Sequence, residues 1–404
     1  MKNIQRAFIL ILILLPAFSL SAMDTGLLLD QSGSYDYTEE LQYSGTLIPW
    51  FSSPVGKSSD LYISAGITAK YELEEWKIVP ELLRTEFTVR MEENGEIKIG
   101  RIPYADPLGF IVSGLFDGVR YSRDMNDGSI FGIGMWYTGF LYKKSAYITM
   151  NDADEINYGE SLDYNDFFGT YFAPRRLVVA LEWEHPGLQE VIRLNLALVG
   201  QFDLSGNNSD YLYNSQYLIA KAAMPVSNFI FELGGCAELV QDEKANKLQI
   251  AFAGELGIGW FLPTQIYDRL SFLSRFSSGK ANDTIVAFNP ITTETHGGVL
   301  IAKLRGISMF RLDYTARLHQ SFSLNLQSSY FILSDLSLES FSGPPDGKNG
   351  HFLGNEFYGL LIWSPVSDIQ IKAGGGVFLP SLGNADKNAD TLWKVELSVV
   401  LALF

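Results

Sequence analysis

Cysteine is nearly absent. Cys236 is the single cysteine in 404 residues, so no internal disulfide framework can hold the chain together. Long apolar runs are lacking as well. Past residue 22 no stretch reaches the roughly 18 apolar residues of a helical membrane span, which excludes that class. Positive charge is scarce: 30 Lys and Arg stand against 46 Asp and Glu, for a net charge of −16. Nucleic acid is therefore not an expected partner, and neither is an anionic headgroup surface. The four histidines, His185, His296, His319 and His351, show no metal-ligand spacing, so no metal and no cofactor is expected. There is no Gly-x-Ser-x-Gly elbow and no phosphate loop, and no enzyme is expected. His351 with Asp346, or His185 with Glu184, comes nearest to a rim-enzyme pair, and exposed loop positions explain both equally well.

What is present begins with an export signal. Lys2 and Arg6 precede an unbroken apolar stretch from Ala7 to Leu15, and small residues near Ser21 and Ala22 suit cleavage. Residues 1–22 read as a signal peptide, leaving 23–404 as the mature chain and as one domain. The mature part is rich in strand and turn formers, with 20 Tyr, 27 Phe and 37 Gly. The acid excess gathers in connections such as Asp152 to Glu155 and Glu160 to Asp166.

The last stretch, Leu392 to Phe404, sets the architecture. Trp393, Val395, Leu397, Val399, Leu401 and Leu403 share one parity, and Lys394, Glu396 and Ser398 share the other. Alternate side chains of a strand point to opposite faces, so one face is apolar and the other polar. Such a stretch is long enough to cross a bilayer at a tilt, which takes roughly 9–11 residues. A strand at the chain terminus must pair with an earlier one, since an open edge in lipid leaves backbone groups unsatisfied. Phe404 falls on the polar parity, which calls for a bulge near Val399-Val400 or a different reading of the terminal aromatic.

The same alternation recurs along the chain. Asp24 to Tyr35 reads as an irregular lead-in and Asp36 to Pro49 as a first strand. Further strands follow, among them Leu61 to Leu73, Trp76 to Met91, Arg176 to Glu184, Val299 to Leu304 and Ser308 to Leu318. Lys143 to Pro174 reads as a long acidic and aromatic loop. The count is about 18 strands, inside the outer-membrane range. The expected fold is all-β: one closed antiparallel transmembrane β-barrel in the bacterial outer membrane, with lipid and the barrel-assembly machinery as partners, the latter through the C-terminal strand. A soluble sandwich would show the same alternation. The signal peptide, the uninterrupted series and the closing strand favour the membrane. Trp50, Trp136, Trp183, Trp260, Trp363 and Trp393 lie near strand ends and are expected in the interfacial girdles.

A charge on the lipid face costs about 2–4 kcal/mol at mid-bilayer, so charges inside strands belong to the lumen. Lys70, Arg84, Glu86, Arg90, Glu182, Arg193, Asp203, Glu232, Glu238, Glu255, Arg269, Arg275, Arg311, Asp313, Arg317 and Lys372 are the pore-lining candidates. Acids dominate from Glu182 to Glu255 and arginines from Arg269 to Arg317, which predicts opposed acidic and basic arcs.

Several passages resemble outer-membrane porins, and in particular the alginate-export family. They are Gly100-Arg101-Ile102-Pro103 with Asp117-Gly118-Val119-Arg120, Arg275 to Lys280 leading to Phe288-Asn289-Pro290, and Gly374-Gly375-Gly376-Val377-Phe378-Leu379-Pro380 before the last strand. The resemblance implies an eighteen-stranded barrel and a channel. The chain departs from that family in being acidic overall. A porin-like channel for small hydrophilic or charged, including anionic, solutes is one expectation. A barrel serving structure or adhesion through acidic surface loops is the alternative. Ser277 to Thr295, or Ser334 to Leu353, is expected to fold in and narrow the lumen. Counting strands back from the C-terminus puts Ser277 to Thr295 on the periplasmic side.

Overall fold

The computed structural model describes residues 23–72, 74–92, 94–206, 212–242, 247–292, 295–336, 341–342, 350–386 and 388–403. The signal-peptide reading, Phe404, Asp346 and much of Ser334 to Leu353 lie outside these residues.

Eighteen strands make one closed antiparallel sheet. They are β1 (Asp24–Asp36), β2 (Leu41–Val55), β3 (Ser59–Glu72), β4 (Glu75–Arg90), β5 (Gly95–Ala105) and β6 (Ser113–Asp124). Next come β7 (Ile130–Tyr137), β8 (Arg176–Leu188), β9 (Ile192–Asp203), β10 (Tyr213–Val226), β11 (Phe229–Asp242) and β12 (Lys247–Phe261). The ring is completed by β13 (Arg269–Ser277), β14 (Ile307–His319), β15 (Phe322–Leu333), β16 (Phe352–Val366), β17 (Ile369–Leu379) and β18 (Leu392–Leu403). Closure runs from Leu27 opposite Leu403 to Asp36 opposite Lys394, so no edge of this pair is left to lipid.

The expected number is met through two errors that cancel. The stretch 24–36 lacks clean alternation, with three leucines in a row, yet it forms β1 and closes the ring. Val299 to Leu304 was expected as a wall strand. Only Ile301–Ala302 is extended, pairing with Phe341–Ser342 outside the barrel sheet. Removing that spurious strand moves the connection 278–306 to the opposite end of the barrel. It then joins the other long connections, 106–112, 138–175, 334–351 and 380–391. Short turns such as 227–228, 320–321 and 367–368 occupy the other end, together with the start of β1 and the end of β18. Outer-membrane barrels keep short turns on the periplasmic side and long loops outside, which orients the molecule. Of the two alternatives for Phe404, the bulge at Val399-Val400 is absent, because the registers of β18 with β17 and β1 run unbroken.

The exterior is apolar. Leu218 and Leu233 are each 64% exposed on the outward parity, and Ile67, Leu198, Leu312 and Val395 stand exposed beside other outward strand positions. Four of the expected tryptophans lie on this outer parity. Trp260 stacks on Phe229 and Trp363 on Phe322 near short turns, while Trp393 meets Tyr35 near the opposite end. Trp183 sits beside His185. Trp136 and Trp50 depart from the expectation. Trp136 is 1% exposed and stacks inside on Tyr104, with ring centroids 4.0 Å apart. Trp50 shares parity with Ser44 and Thr46 and stacks on Tyr62. Position near a strand end does not decide the face; parity does.

The interior is filled by the inserted connections. Leu108, Phe110 and Ile111 from 106–112, Ile148 and Met150 from 138–175, and Phe288, Ile291 and Leu300 from 278–306 pack with Tyr217, Ile219 and Ala251 of the wall. Of the two connections of which one was expected to fold in, the described part of Ser277 to Thr295 does so. Lys143 to Pro174 is more than a loop. It holds three short helices, Lys143–Ala146, Asp152–Gly159 and Phe167–Tyr171.

Candidate functional site

Carboxylates of the wall hold the inserted connections in place. Glu356 of β16 accepts the backbone N–H groups of Gly298, Val299 and Leu300 at 2.8, 3.0 and 2.7 Å. Glu238 of β11 was expected to line open lumen. It is instead fully buried, accepting the N–H of Asn289 at 2.9 Å and the O–H of Tyr213 at 3.1 Å. Asp106 accepts four N–H groups of its own loop, from Leu108, Gly109, Ile111 and Val112. Arg176 is fully buried between Asp154 at 2.5 Å and Asp203 at 3.3 Å, so Asp203 also anchors the insert rather than lining water. Each of these satisfies polar groups that would otherwise be buried bare.

Below this insert, towards the short turns, two adjoining cavities share Lys221 and Glu232. One measures about 410 Å³ and takes in Arg120, Glu182, Glu184, Arg193 and Asn195. The other measures about 170 Å³ and takes in Glu255, Arg269, Arg275, Arg311 and Asp313. A third, of about 600 Å³, lies by β18, β1, β2 and β3 and gathers Lys70, Glu72, Lys372, Lys394 and Glu396. Ten of the sixteen pore-lining candidates thus reach these cavities. Arg84 and Glu86 form a separate pair at 2.6 Å, with Lys98 3.4 Å from Glu86 and Arg84 over the Tyr62 ring. Arg90 pairs with Asp60 at 2.5 Å on exposed ground. Arg317 follows a register shift in β14, is exposed, and donates to the Gln320 carbonyl at the turn.

The expected arcs of opposite sign do not stand apart. Within the supposed acidic arc Arg193 meets Glu184 at 2.6 Å and Lys221 meets Glu255 at 2.8 Å, and Arg120 of β6 meets Glu182 at its edge at 2.9 Å. Glu255 also meets Arg275 at 3.2 Å, and Asp313 meets Arg311 at 3.1 Å, within the basic one. Cross-strand and same-face pairing wins because strand neighbours sit within reach of long side chains. Lys221 and Arg120 were missed as pore-lining residues. Lys221 was legible in the alternation Tyr217, Ile219, Lys221, Ala223. Arg269 differs from the rest. Among the described residues it has no carboxylate partner, donates to the Ser271 hydroxyl at 2.6 Å, and lies 5.8 Å from the Phe261 ring centre.

Of the histidines, His296 is buried in the insert, 3.1 Å from Arg275. Burial first, then the nearby Arg275 and Arg311 guanidinium groups, drives its pKa down to about 3. His351 bonds the Leu333 carbonyl at 2.8 Å.

Solved structures share this architecture. A Pseudomonas aeruginosa OccK2 (OpdF) structure in complex with glucuronate matches with a TM-score of 0.63 at 11% identity, over 94% of this chain and 98% of that one. The P. aeruginosa outer membrane protein OpdK matches at 0.62 and 11% identity, over 96% of this chain and 100% of that one. OpdK with vanillate matches at 0.62 and 10% identity over the same shares. The fold is that of outer-membrane porins. With its greasy exterior and closed ring, the chain is an outer-membrane barrel. No family model matches the sequence, and no curated protein matches it. The narrower resemblance to the alginate-export family gains no support from these comparisons.

Proposed function

We propose that the protein is an outer-membrane channel for small hydrophilic solutes that carry a carboxylate. The observation that carries this reading is Arg269. Its guanidinium stands in a cavity whose other arginines are matched by acids, and it has no carboxylate partner among the described residues. A guanidinium presents a planar donor fork that fits a carboxylate, and the neighbouring pairs offset the rest of the wall charge. OccK2 in complex with glucuronate and OpdK with vanillate each hold a carboxylate, which supports the class. The polar cavities along the wall also favour transport over a purely structural or adhesive role.

The test is uptake by liposomes holding the refolded protein. Glucuronate should enter, and Arg269→Gln should slow it by roughly tenfold, the loss of one charge-assisted contact. Glucose entry should change little. Equal slowing of both solutes, or of neither, would reject the role given to Arg269.

A further inference from the structure

The barrel wall has a seam. Pairing of β4 with β5 runs only from Thr85–Arg101 to Arg90–Glu96. Among the described residues, no part of β4 before Thr85 pairs with β5, although that stretch stays paired to β3 as far as Glu75. The local sequence explains the split. Leu83 is an extra residue at a register shift, and Pro80 and Pro103 lack the N–H a ladder needs. Gly100 has φ +119°, and a Cβ there would collide with the Thr85 carbonyl, so the last rung depends on glycine.

Side chains replace the missing ladder. Tyr164, from the 138–175 connection, accepts the N–H of Ile78 at 2.7 Å and donates to the Ile78 carbonyl at 3.1 Å. Tyr171 donates to the Pro80 carbonyl at 2.7 Å. Arg101 donates to the Leu82 carbonyl, held there by its two-pronged bond to Asp117 at 2.9 and 2.7 Å. Thus alternate residues 78, 80 and 82 of one strand edge are closed by three side chains. Their rupture needs only side-chain rotation, whereas a ladder opens by moving backbone.

Behind the seam is a cavity of about 520 Å³. Leu83, Pro103, Tyr104, Leu115, Leu141 and Ala146 give it an apolar body, and Ser113, Ser145, Glu81 and the paired Arg101 and Arg120 give it a polar end. Outside the seam, Trp76 packs with Tyr43 and Tyr71, as an interfacial girdle does. Ile78 and Leu82 are 58% and 43% exposed and follow on the side away from the long loops, at hydrocarbon depth.

We propose that this cavity binds a small neutral amphipathic molecule entering sideways from the outer leaflet, with Tyr164 and Tyr171 as the latch. The occupant is not an anion because both guanidinium groups of the lining, Arg101 and Arg120, are already matched by Asp117 and Glu182, and it is a hydroxyl donor rather than an acid because Glu81, bonded to the neutral Ser145 hydroxyl, offers an acceptor. It is amphipathic because the cavity is lined that way and abuts lipid. The inference is independent of which solute the lumen passes.

The probe is 1-naphthol, with the full mature protein in lipid nanodiscs. Binding is read by naphthol fluorescence, and folding by heat-modifiable electrophoretic migration. Lipids brominated on the acyl chain should quench bound naphthol. Leu83→Trp, which fills the cavity from the wall, should weaken binding about tenfold or more. Ala146→Phe fills it from the opposite side and should do the same if Leu83→Trp fails to fold. Tyr164→Phe with Tyr171→Phe should raise the association rate about fivefold or more, since two hydroxyl bonds no longer hold the seam. Small-ion conductance should stay within about twofold in each variant, because Leu83, Ala146, Tyr164 and Tyr171 line none of the lumen cavities. Undiminished affinity in the filled variants, an unchanged rate in the phenylalanine variant, or absence of quenching would overturn the proposal.

Discussion

Replacing Glu356 by alanine should free the inserted connection from the wall. The carboxylate takes three backbone N–H groups within 3.0 Å, and its residue is 1% exposed. A hydrogen bond to a charged group contributes about 1.5–3 kcal/mol net, so three such bonds put the loss at about 4 kcal/mol or more. The opposing term is burial of Val299 and Leu300, 5% and 0% exposed. Each resists release by about 1.5–3 kcal/mol, so the segment loosens locally while the barrel stays closed. At 1.4 kcal/mol per tenfold, the amides of 298–300 should exchange about a thousandfold faster. Hydrogen exchange of the protein in nanodiscs, resolved to this segment, measures that factor. Wall amides of β16 away from Glu356 serve as the internal reference. Exchange at 298–300 within about threefold of wild type would refute the anchoring role and the energy assigned to it.

Three further outcomes follow from the same geometry. His296 is held neutral, so protonation accompanies its release; between an ordinary pKa of about 6.5 and its folded value of about 3, the released state binds the extra proton. The insert should therefore lose about 2 kcal/mol as pH falls from 6.5 to 5, with faster exchange around residues 295–302, and His296→Leu should flatten that slope. Arg176→Ala leaves Asp154 and Asp203 buried without their cation and should cost about 3–5 kcal/mol, lowering the temperature of the heat-modification shift. Leu233→Arg places a charge on the lipid face and should cost about 2–4 kcal/mol in refolding titrations into vesicles, whereas Glu232→Arg, on the wet face, should cost far less.

Much of the barrel was readable from two-residue alternation, because the outer parity of each wall strand answers to one solvent. Strands such as 308–318 and 392–403 carry that signal plainly. It fails where the neighbours are protein rather than lipid or water. It also fails in β1, where Leu27, Leu28 and Leu29 occupy both parities in a row and small residues follow. Trp136 lies at a strand end like a girdle residue, and its inward stacking on Tyr104 depends on connections that no local pattern reveals. The candidate site was legible as a set of charges and not as an arrangement. Alternation shows that Glu238 and Glu255 share the inner face. It cannot show that Asn289 from a connection caps one while Lys221 and Arg275 neutralise the other. The seam at β4 and β5 left a trace in Pro80, Gly100 and Pro103, and its closure by Tyr164 needed the fold.

Single-channel recording of the purified mature protein in a planar bilayer bears most directly on the channel reading. Discrete conductance steps that shorten or flicker when glucuronate is added, and not when glucose is added, are the predicted result. A bilayer that stays silent at every voltage after verified insertion of folded barrel would contradict it.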